Sequence, residues 1–174
     1  MGKNGPLWGI VGYGGAFGVR LMSTTTDNVR VTFKGEYDFG VDDKRRVQIP
    51  AKWRPSEDTV LSVHVWKADG QRHPCLLVLP PATARKLEEK MEGMSFSDPK
   101  AESLRRLLGA DCDDLTLDSA GRICLPEKLA TKAGISKKVI LVGLFDRFQI
   151  WNPEFYADTQ VADEVARPDA IKLI

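Results

Sequence analysis

The chain of 174 residues carries 25 Lys and Arg against 24 Asp and Glu, and its net charge of +1 excludes a strong overall attraction to nucleic acid. Any anion-binding surface must therefore come from local clusters of basic residues. Hydrophobic residues make up 43% and charged residues 28%, as in an ordinary globular protein of one compact domain or two small ones. Three cysteines without close pairs argue against a disulfide framework and favour a reducing compartment.

Residues 1–30 are expected to be a disordered extension or the product of a mis-called start codon, with Met22 as a plausible true start. Residues 1–21 hold seven of the fifteen glycines, which weaken helix formation. The apolar run superficially resembles a signal peptide, but no A-x-A-like cleavage site follows it and Arg20 interrupts it. It is also too short and too broken to span a membrane.

In the first half, two apolar alternations at 37–41 and 46–50 flank a charged turn and predict the two arms of a β-hairpin. Further strands are predicted over 59–66 and 75–79, which are rich in β-branched or apolar residues. A helix is predicted over 81–93, beginning with a proline, which is a favoured first helical residue.

The second half repeats this plan. A helix is predicted from Asp98, with a cap, a proline in the first turn and a glycine at the end. Residues 115–118 and 122–126 predict a second hairpin, with Gly121 available for a tight turn. The remaining predicted elements are a short helix over 126–134, strands over 138–144 and 147–151, and a helix over 152–166.

The main feature of the sequence is a gapless internal repeat, in which residues 39–53 (FGVDDKRRVQIPAKW) align with residues 115–129 (LTLDSAGRICLPEKL). The identical pairs are Asp42 and Asp118, Arg46 and Arg122, Pro50 and Pro126, and Lys52 and Lys128. The shared pattern is apolar–D–x–x–x–R–apolar–x–apolar–P–x–K.

This repeat defines the expected domain organisation. The sequence predicts an α+β fold of two tandem β-rich units, the first at residues 31–97 and the second at residues 98–165. Helices lie between and after the units, and residues 166–174 are expected to form a loose tail.

The repeated D-x-x-x-R motif has two interpretations, one structural and one as a phosphate-binding site. An Asp at a turn can accept backbone N–H bonds and pair with an Arg four residues later, which would hold the turn without any ligand. A paired Arg nevertheless has five donors, more than one carboxylate uses, and could still present some of them to phosphate. The first copy adds Lys44 and Arg45 in the turn and Lys52 and Arg54 beyond it, so phosphate contact is expected mainly there.

No catalytic set is visible in the sequence, so we expect no enzyme activity, cofactor or metal. The motifs GxSxG, HExxH and the P-loop are absent, and no zinc-type spacing of Cys and His occurs. The acidic stretch DCDD at 111–114 lacks EF-hand spacing and is interpreted as an acidic loop. Leu104, Leu107 and Leu108 form a helical stripe that favours core packing, with a subunit interface as the alternative.

These motifs together resemble the MraZ family of bacterial transcriptional regulators, over roughly residues 31–160. The resemblance is carried by FKGEYDFGVDDKRRVQIPAKWR, CLLVLPP, LRRLLGADCDDLTLDSAGRICLPEKL and VILVGLFDRFQIWNPEFY. It implies two tandem swapped-hairpin units of the SpoVT/AbrB kind in pseudo-twofold relation, and a ring-like homo-oligomer. It also implies a cytoplasmic, nucleoid-associated protein that binds double-stranded DNA at short direct repeats in promoters of the division and cell-wall gene cluster. No membrane contact is implied.

Residue by residue, the resemblance makes Asp42 and Asp118 the scaffold of the two motifs. The expected DNA-binding residues are Lys44, Arg45, Arg46, Lys52 and Arg122. The family commonly has glycine before the motif arginine, as at Gly121, whereas the first copy has Arg45. If that position needs a positive φ, Arg45 is strained; if it does not, Arg45 is an additional DNA contact. The alternative function is an oligomeric protein-interaction module of the antitoxin-like type, which the near-neutral net charge favours.

Overall fold

A computed structural model describes residues 31–56 and 58–174. The extension predicted for residues 1–30 lies outside the described residues. The strands are β1 Glu36–Gly40, β2 Arg46–Gln48, β3 Leu61–Trp66, β4 Cys75–Leu79, β5 Cys112–Leu115, β6 Arg122–Cys124, β7 Lys138–Gly143 and β8 Phe148–Trp151. The helices are α1 Pro81–Glu92, α2 Pro99–Ala110, α3 Glu127–Lys132 and α4 Pro153–Ala170, with 3-10 turns at Ala51–Trp53 and Ile171–Leu173.

The fold is α+β, as the sequence predicts. Six strands form one antiparallel sheet in the order β1-β7-β8-β4-β3-β5, and β2 and β6 form a separate two-stranded antiparallel ribbon. The repeat makes β5, β7 and β8 the counterparts of β1, β3 and β4. Counterparts occupy equivalent positions counted from opposite ends of the sheet, so the order is symmetric. The two halves of the chain therefore interleave in one sheet.

The two predicted hairpins are wrong beyond their turns. The strands β1 and β2 leave the turn at 42–45 in different directions: β1 pairs with β7, and β2 pairs with β6. A bridge between Val41 and Val47 is where the two arms meet. In the second half, β5 pairs with β3 and β6 with β2. Each arm thus completes its hydrogen bonding on the other half of the chain, which a local alternation pattern cannot specify.

The larger of two hydrophobic clusters draws its side chains from both halves of the described chain. Its centre is an aromatic group in which the Trp53 ring lies 5.7 Å from Phe33 and 5.4 Å from Phe148. Val47 of β2 and Ile123 of β6, a directly paired couple, are both fully buried beside it. Burying a side chain of this size contributes about 1.5–3 kcal/mol, so the core ties the ribbon firmly to the sheet.

The last helix is longer than expected. The sequence places its end near residue 166, whereas α4 continues to Ala170 with Pro168 inside it. Its first turns are anchored, because Asn152 caps the helix and the Tyr156 hydroxyl donates to Glu36 Oε2 at 2.9 Å. Burial and the neighbouring Glu36 carboxylate raise the pKa of Tyr156 to about 12. Within 31–56 and 58–174, no helix is long and apolar enough to cross a membrane.

The leucine stripe of α2 divides between core and surface. Leu108 is buried, whereas Leu107 is 64% exposed. Core packing therefore accounts for only part of the stripe, and the subunit interface remains open for Leu107.

Candidate nucleic-acid interface

The first corner, residues 42–46, is built around one carboxylate. Asp42 Oδ1 accepts the backbone N–H groups of Lys44 and Arg46, both at 2.9 Å, and Asp42 Oδ2 accepts Arg46 Nε at 2.6 Å. The Arg45 N–H donates to the Asp42 carbonyl at 2.8 Å and closes the turn. The bonds to the carboxylate hold the pKa of Asp42 below its ordinary value, and the largest contribution is the Arg46 backbone N–H.

The second corner, residues 118–122, repeats this geometry. Asp118 Oδ1 accepts the backbone N–H groups of Ala120 and Arg122 at 2.9 and 3.0 Å, and Oδ2 accepts Arg122 Nε at 2.9 Å. A second guanidinium nitrogen of Arg122 lies 2.8 Å from the same oxygen. Here the hydrogen bond from the Arg122 side chain is the largest of the causes that lower the pKa of Asp118. In both corners the motif carboxylate accepts the bonds that hold its turn together.

The ribbon of β2 and β6 places the two motif arginines on one face. Its register pairs Arg46 with Cys124, Val47 with Ile123, and Gln48 with Arg122. Because side chains alternate along a strand and the central pair faces the core, Arg46 and Arg122 face outwards together. Each of these two side chains is 32% exposed. The ribbon thus joins two corners that are 76 residues apart in sequence into one surface.

Each corner is also held by the other half of the chain. The Gln48 side-chain amide donates to the Ala120 carbonyl at 3.1 Å, and the Cys124 thiol donates to the Lys44 carbonyl at 3.2 Å. Sequence reasoning missed both residues, since neither is charged. The signal was present in the alignment, where the 76-residue offset places Gln48 on Cys124.

The position before the motif arginine requires the left-handed backbone conformation. Arg45 has φ +58° and Gly121 has φ +75°. Arg45 is therefore strained, since a non-glycine residue in this region costs about 1–2 kcal/mol. Its backbone carbonyl accepts the Leu125 N–H at 2.9 Å, and its Nε donates to the Leu125 carbonyl at 3.2 Å. Its side chain is nevertheless 45% exposed, so the strained residue still presents a guanidinium to solvent.

The other predicted basic residues lie in different settings. Lys44 is exposed at the tip of the first corner. Lys52 is exposed, with its ammonium 5.2 Å from the Tyr37 ring centre. Its repeat partner Lys128 donates to the Ala110 carbonyl at 2.6 Å and lies 3.3 Å from Asp111. Lys44 and Arg45 thus lie in the first corner next to Arg46, whereas Lys52 lies after the ribbon, in the 3-10 turn Ala51–Trp53.

The acidic loop predicted at 111–114 is wrong, because Cys112–Leu115 form strand β5, which pairs with β3. The strand lies at the edge of the sheet with its acidic side chains exposed, a position that tolerates charge. Lys132 Nζ lies 2.5 and 2.7 Å from the two Asp111 carboxylate oxygens, and these bonds lower the pKa of Asp111. In the part of the chain that the structure describes, no group of three or more His, Cys, Asp or Glu side chains is arranged to hold a metal ion.

The fold and the site define a class of protein: an α+β chain with interleaved halves and a duplicated Asp–Arg corner on a shared ribbon. Residues 109–168 match the family model described as "MraZ protein, putative antitoxin-like". A protein of Nitrosospira multiformis named "Transcriptional regulator MraZ" is 32% identical over 140 residues, covering 80% of this chain and 93% of that protein. Proteins of the same name from Thermomicrobium roseum and Desulfitobacterium hafniense are each 34% identical, covering 72% of this chain and 84% and 85% of theirs. The chain belongs to the MraZ family, which confirms the resemblance seen in its motifs.

Proposed function

We propose that this protein is a transcriptional regulator that binds double-stranded DNA through the outward face of the β2–β6 ribbon. The observation that carries the proposal is that Arg46 and Arg122 share this face, with Lys44 and Arg45 at its edge. The names of the relatives, all "Transcriptional regulator MraZ", agree with it. A net charge of +1 does not conflict with it, because the basic residues are clustered locally.

The dimensions of the ribbon suit a DNA groove. Strands rise about 3.4 Å per residue and neighbours lie about 4.8 Å apart, so the register puts the Arg46 and Arg122 Cα atoms roughly 8 Å apart. The major groove of B-DNA, about 12 Å wide, admits a two-stranded ribbon. Each arginine donates part of its five N–H groups to its aspartate, and the remaining donors can contact phosphate or base edges. The aspartates would then fix the direction in which each arginine points.

The same proposal includes the unit structure, the ring assembly and the DNA targets that membership of the family implies. The two units, residues 31–97 and 98–165, would be tandem swapped-hairpin units of the SpoVT/AbrB kind, which the symmetric strand order supports. Copies of the chain would form a ring, for which Leu107, Phe96 and Phe145 offer exposed apolar side chains. A ring would meet successive short direct repeats in promoters of the division and cell-wall gene cluster and gain avidity. The protein would act in the cytoplasm, on the nucleoid.

A salt titration of DNA binding tests this function. Duplex DNA from upstream of the gene for this protein is titrated with wild type, Arg46→Ala and, as control, Arg167→Ala on the exposed end of α4. We expect affinity to fall steeply with salt, and to fall at least ten-fold in Arg46→Ala while the control is unchanged. Salt-independent binding, or an unaffected Arg46→Ala variant, would contradict the mechanism.

A second candidate is an oligomeric protein-interaction module, supported by the words "antitoxin-like" in the description of the family model. In this case a protein partner would cover the ribbon face. Purification from the native host separates the two candidates. A stoichiometric protein partner together with no affinity for the upstream duplex would favour the module over the regulator.

A further inference from the structure

Arg54 lies at the second corner, although it belongs to the first half of the chain. It directly follows the 3-10 turn Ala51–Trp53. Its Nε donates to the Ile49 carbonyl at 2.9 Å. The guanidinium carbon and two of its nitrogens occupy the space into which a side chain at Gly121 would project. The residue is exposed, so this guanidinium is a surface group beside Gly121.

The first corner reaches a matching arrangement by another route. There, Arg45 occupies the position that corresponds to Gly121. The Nε of its side chain donates to the Leu125 carbonyl at 3.2 Å. Leu125 is the repeat counterpart of Ile49 at the 76-residue offset. Each corner thus has a guanidinium that is tethered through Nε to the same carbonyl position. In the first corner this guanidinium belongs to Arg45, the residue with positive φ. In the second corner it belongs to Arg54, which lies against Gly121.

We propose that Arg54 is the DNA-contacting counterpart of Arg45 at the second corner, with a backbone phosphate as its ligand. This inference rests on the proposed DNA-binding function. Tethering through Nε leaves the two terminal nitrogens of a guanidinium as donors, and phosphate oxygens accept such a pair. In Arg45 one of these nitrogens lies 3.9 Å from Glu127 Oε2, beyond hydrogen-bond distance. Each corner then presents two arginines, Arg45 with Arg46 and Arg54 with Arg122. The surface is more nearly symmetric than the sequence, which places Lys44, Arg45 and Arg46 in the first turn and only Arg122 in the second.

Gly121 has a role in this arrangement. Its φ of +75° is one that glycine adopts without a steric penalty. The missing Cβ also leaves the room that the Arg54 guanidinium fills. A side chain at 121 would therefore displace Arg54 from the corner, so the glycine and the arginine act as a pair.

The test measures the number of phosphates contacted. Fluorescence anisotropy with the duplex from upstream of the gene, and with a scrambled duplex of equal length, gives the slope of log affinity against log salt. For Arg54→Gln we expect this slope to fall by about 0.9, which is one phosphate, with an equal loss of affinity for both duplexes. Arg54→Lys should retain the slope because it retains the charge. Arg167→Gln makes the same charge change far along α4 and should alter nothing.

A double variant separates phosphate contact from a structural role. Gly121→Arg combined with Arg54→Gln attaches an arginine at the second corner in the way the first corner does, and we expect it to restore the slope. A role for Arg54 in holding Ile49 alone would lower the unfolding temperature of Arg54→Gln without changing the slope. An unchanged slope in Arg54→Gln, or a double variant that stays low, overturns this inference while Arg46→Ala still tests the proposed function. Wild-type protein that binds neither duplex overturns the proposed function itself.

Discussion

The two corners have the same hydrogen-bond pattern but different occupants at the position before the motif arginine. In each, an aspartate accepts two backbone N–H groups and its arginine. Arg45 holds that position under strain at φ +58°, whereas Gly121 holds it at φ +75° and leaves room for Arg54. The duplicated turn therefore has the same backbone conformation in both corners, whereas the arginine at this position belongs to the turn in the first corner and is Arg54 in the second.

The largest effect is expected when the second corner is given the residue of the first. Gly121→Arg should lower the free energy of unfolding by about 2 kcal/mol, from left-handed strain of 1–2 kcal/mol and the loss of the Arg54 hydrogen bond. Urea denaturation measures this cost. In an Arg54→Ala background the cost of the same change should be smaller, because the space is then empty. Equal costs in the two backgrounds would show that the two side chains do not compete.

The secondary structure was largely accessible from the sequence, but the strand partners were not. In the described part of the chain, alternation and caps predicted the four helices and all strands but β5 within a few residues. For β5 they predicted a strand at 115–118 instead of Cys112–Leu115, because the acidic stretch at 111–114 indicated a loop. The same signals predicted that β1 pairs with β2, because a local pattern specifies which face is apolar and says nothing of which strand lies alongside. The pairing partners come from opposite halves of the chain, and only the core that they share determines them. The extra turn of α4 was missed because Pro168 is a helix-breaking signal.

Some residues of the candidate site could be predicted from the sequence, and others become visible only in the fold. The repeat identified both aspartates and both motif arginines, because identity at a fixed offset is visible in one sequence. Gln48 and Cys124 also stand at that offset, but their roles become visible only when each is seen at the carbonyl of the opposite turn. Arg54 aligns with Ala130, so no comparison of the two copies could connect it with the second corner. Its role there depends on interleaving of the halves.

A smaller effect is expected when the first corner is given the residue of the second. Arg45→Gly should raise the free energy of unfolding by about 0.5 kcal/mol, since relief of left-handed strain outweighs the added freedom of the unfolded chain. The same change should weaken binding to the upstream duplex, because an exposed guanidinium is removed. Stability is measured by urea denaturation and binding by anisotropy.

Arg45→Ala is the matched control for this change, because it removes the guanidinium and keeps the strain. It should weaken binding as much as Arg45→Gly and should be less stable. A loss of stability in Arg45→Gly would show that the tether to Leu125 stabilises the corner more than the backbone strain destabilises it.

The smallest expected effect is a difference between the two corners in how far loss of the arginine raises the pKa of the motif aspartate. Both have a lowered pKa, but the largest cause is a backbone N–H at Asp42 and the arginine side chain at Asp118. Arg122→Gln should therefore raise the pKa of Asp118 more than Arg46→Gln raises the pKa of Asp42, where the backbone donor remains. NMR titration of the two carboxyl groups measures both values, and equal rises would contradict the difference.

The same difference governs stability in acid. A carboxyl group whose pKa is lowered by folding stabilises the protein fully above its unfolded value, about pH 4, and loses that contribution as the pH falls through the folded value. Losing the arginine should therefore flatten the acid part of the stability curve more in Arg122→Gln than in Arg46→Gln. Since both carboxylates are at the surface, the change is expected to be small, and added salt should reduce it further. The second corner would then depend on its side-chain pair, and the first on its backbone.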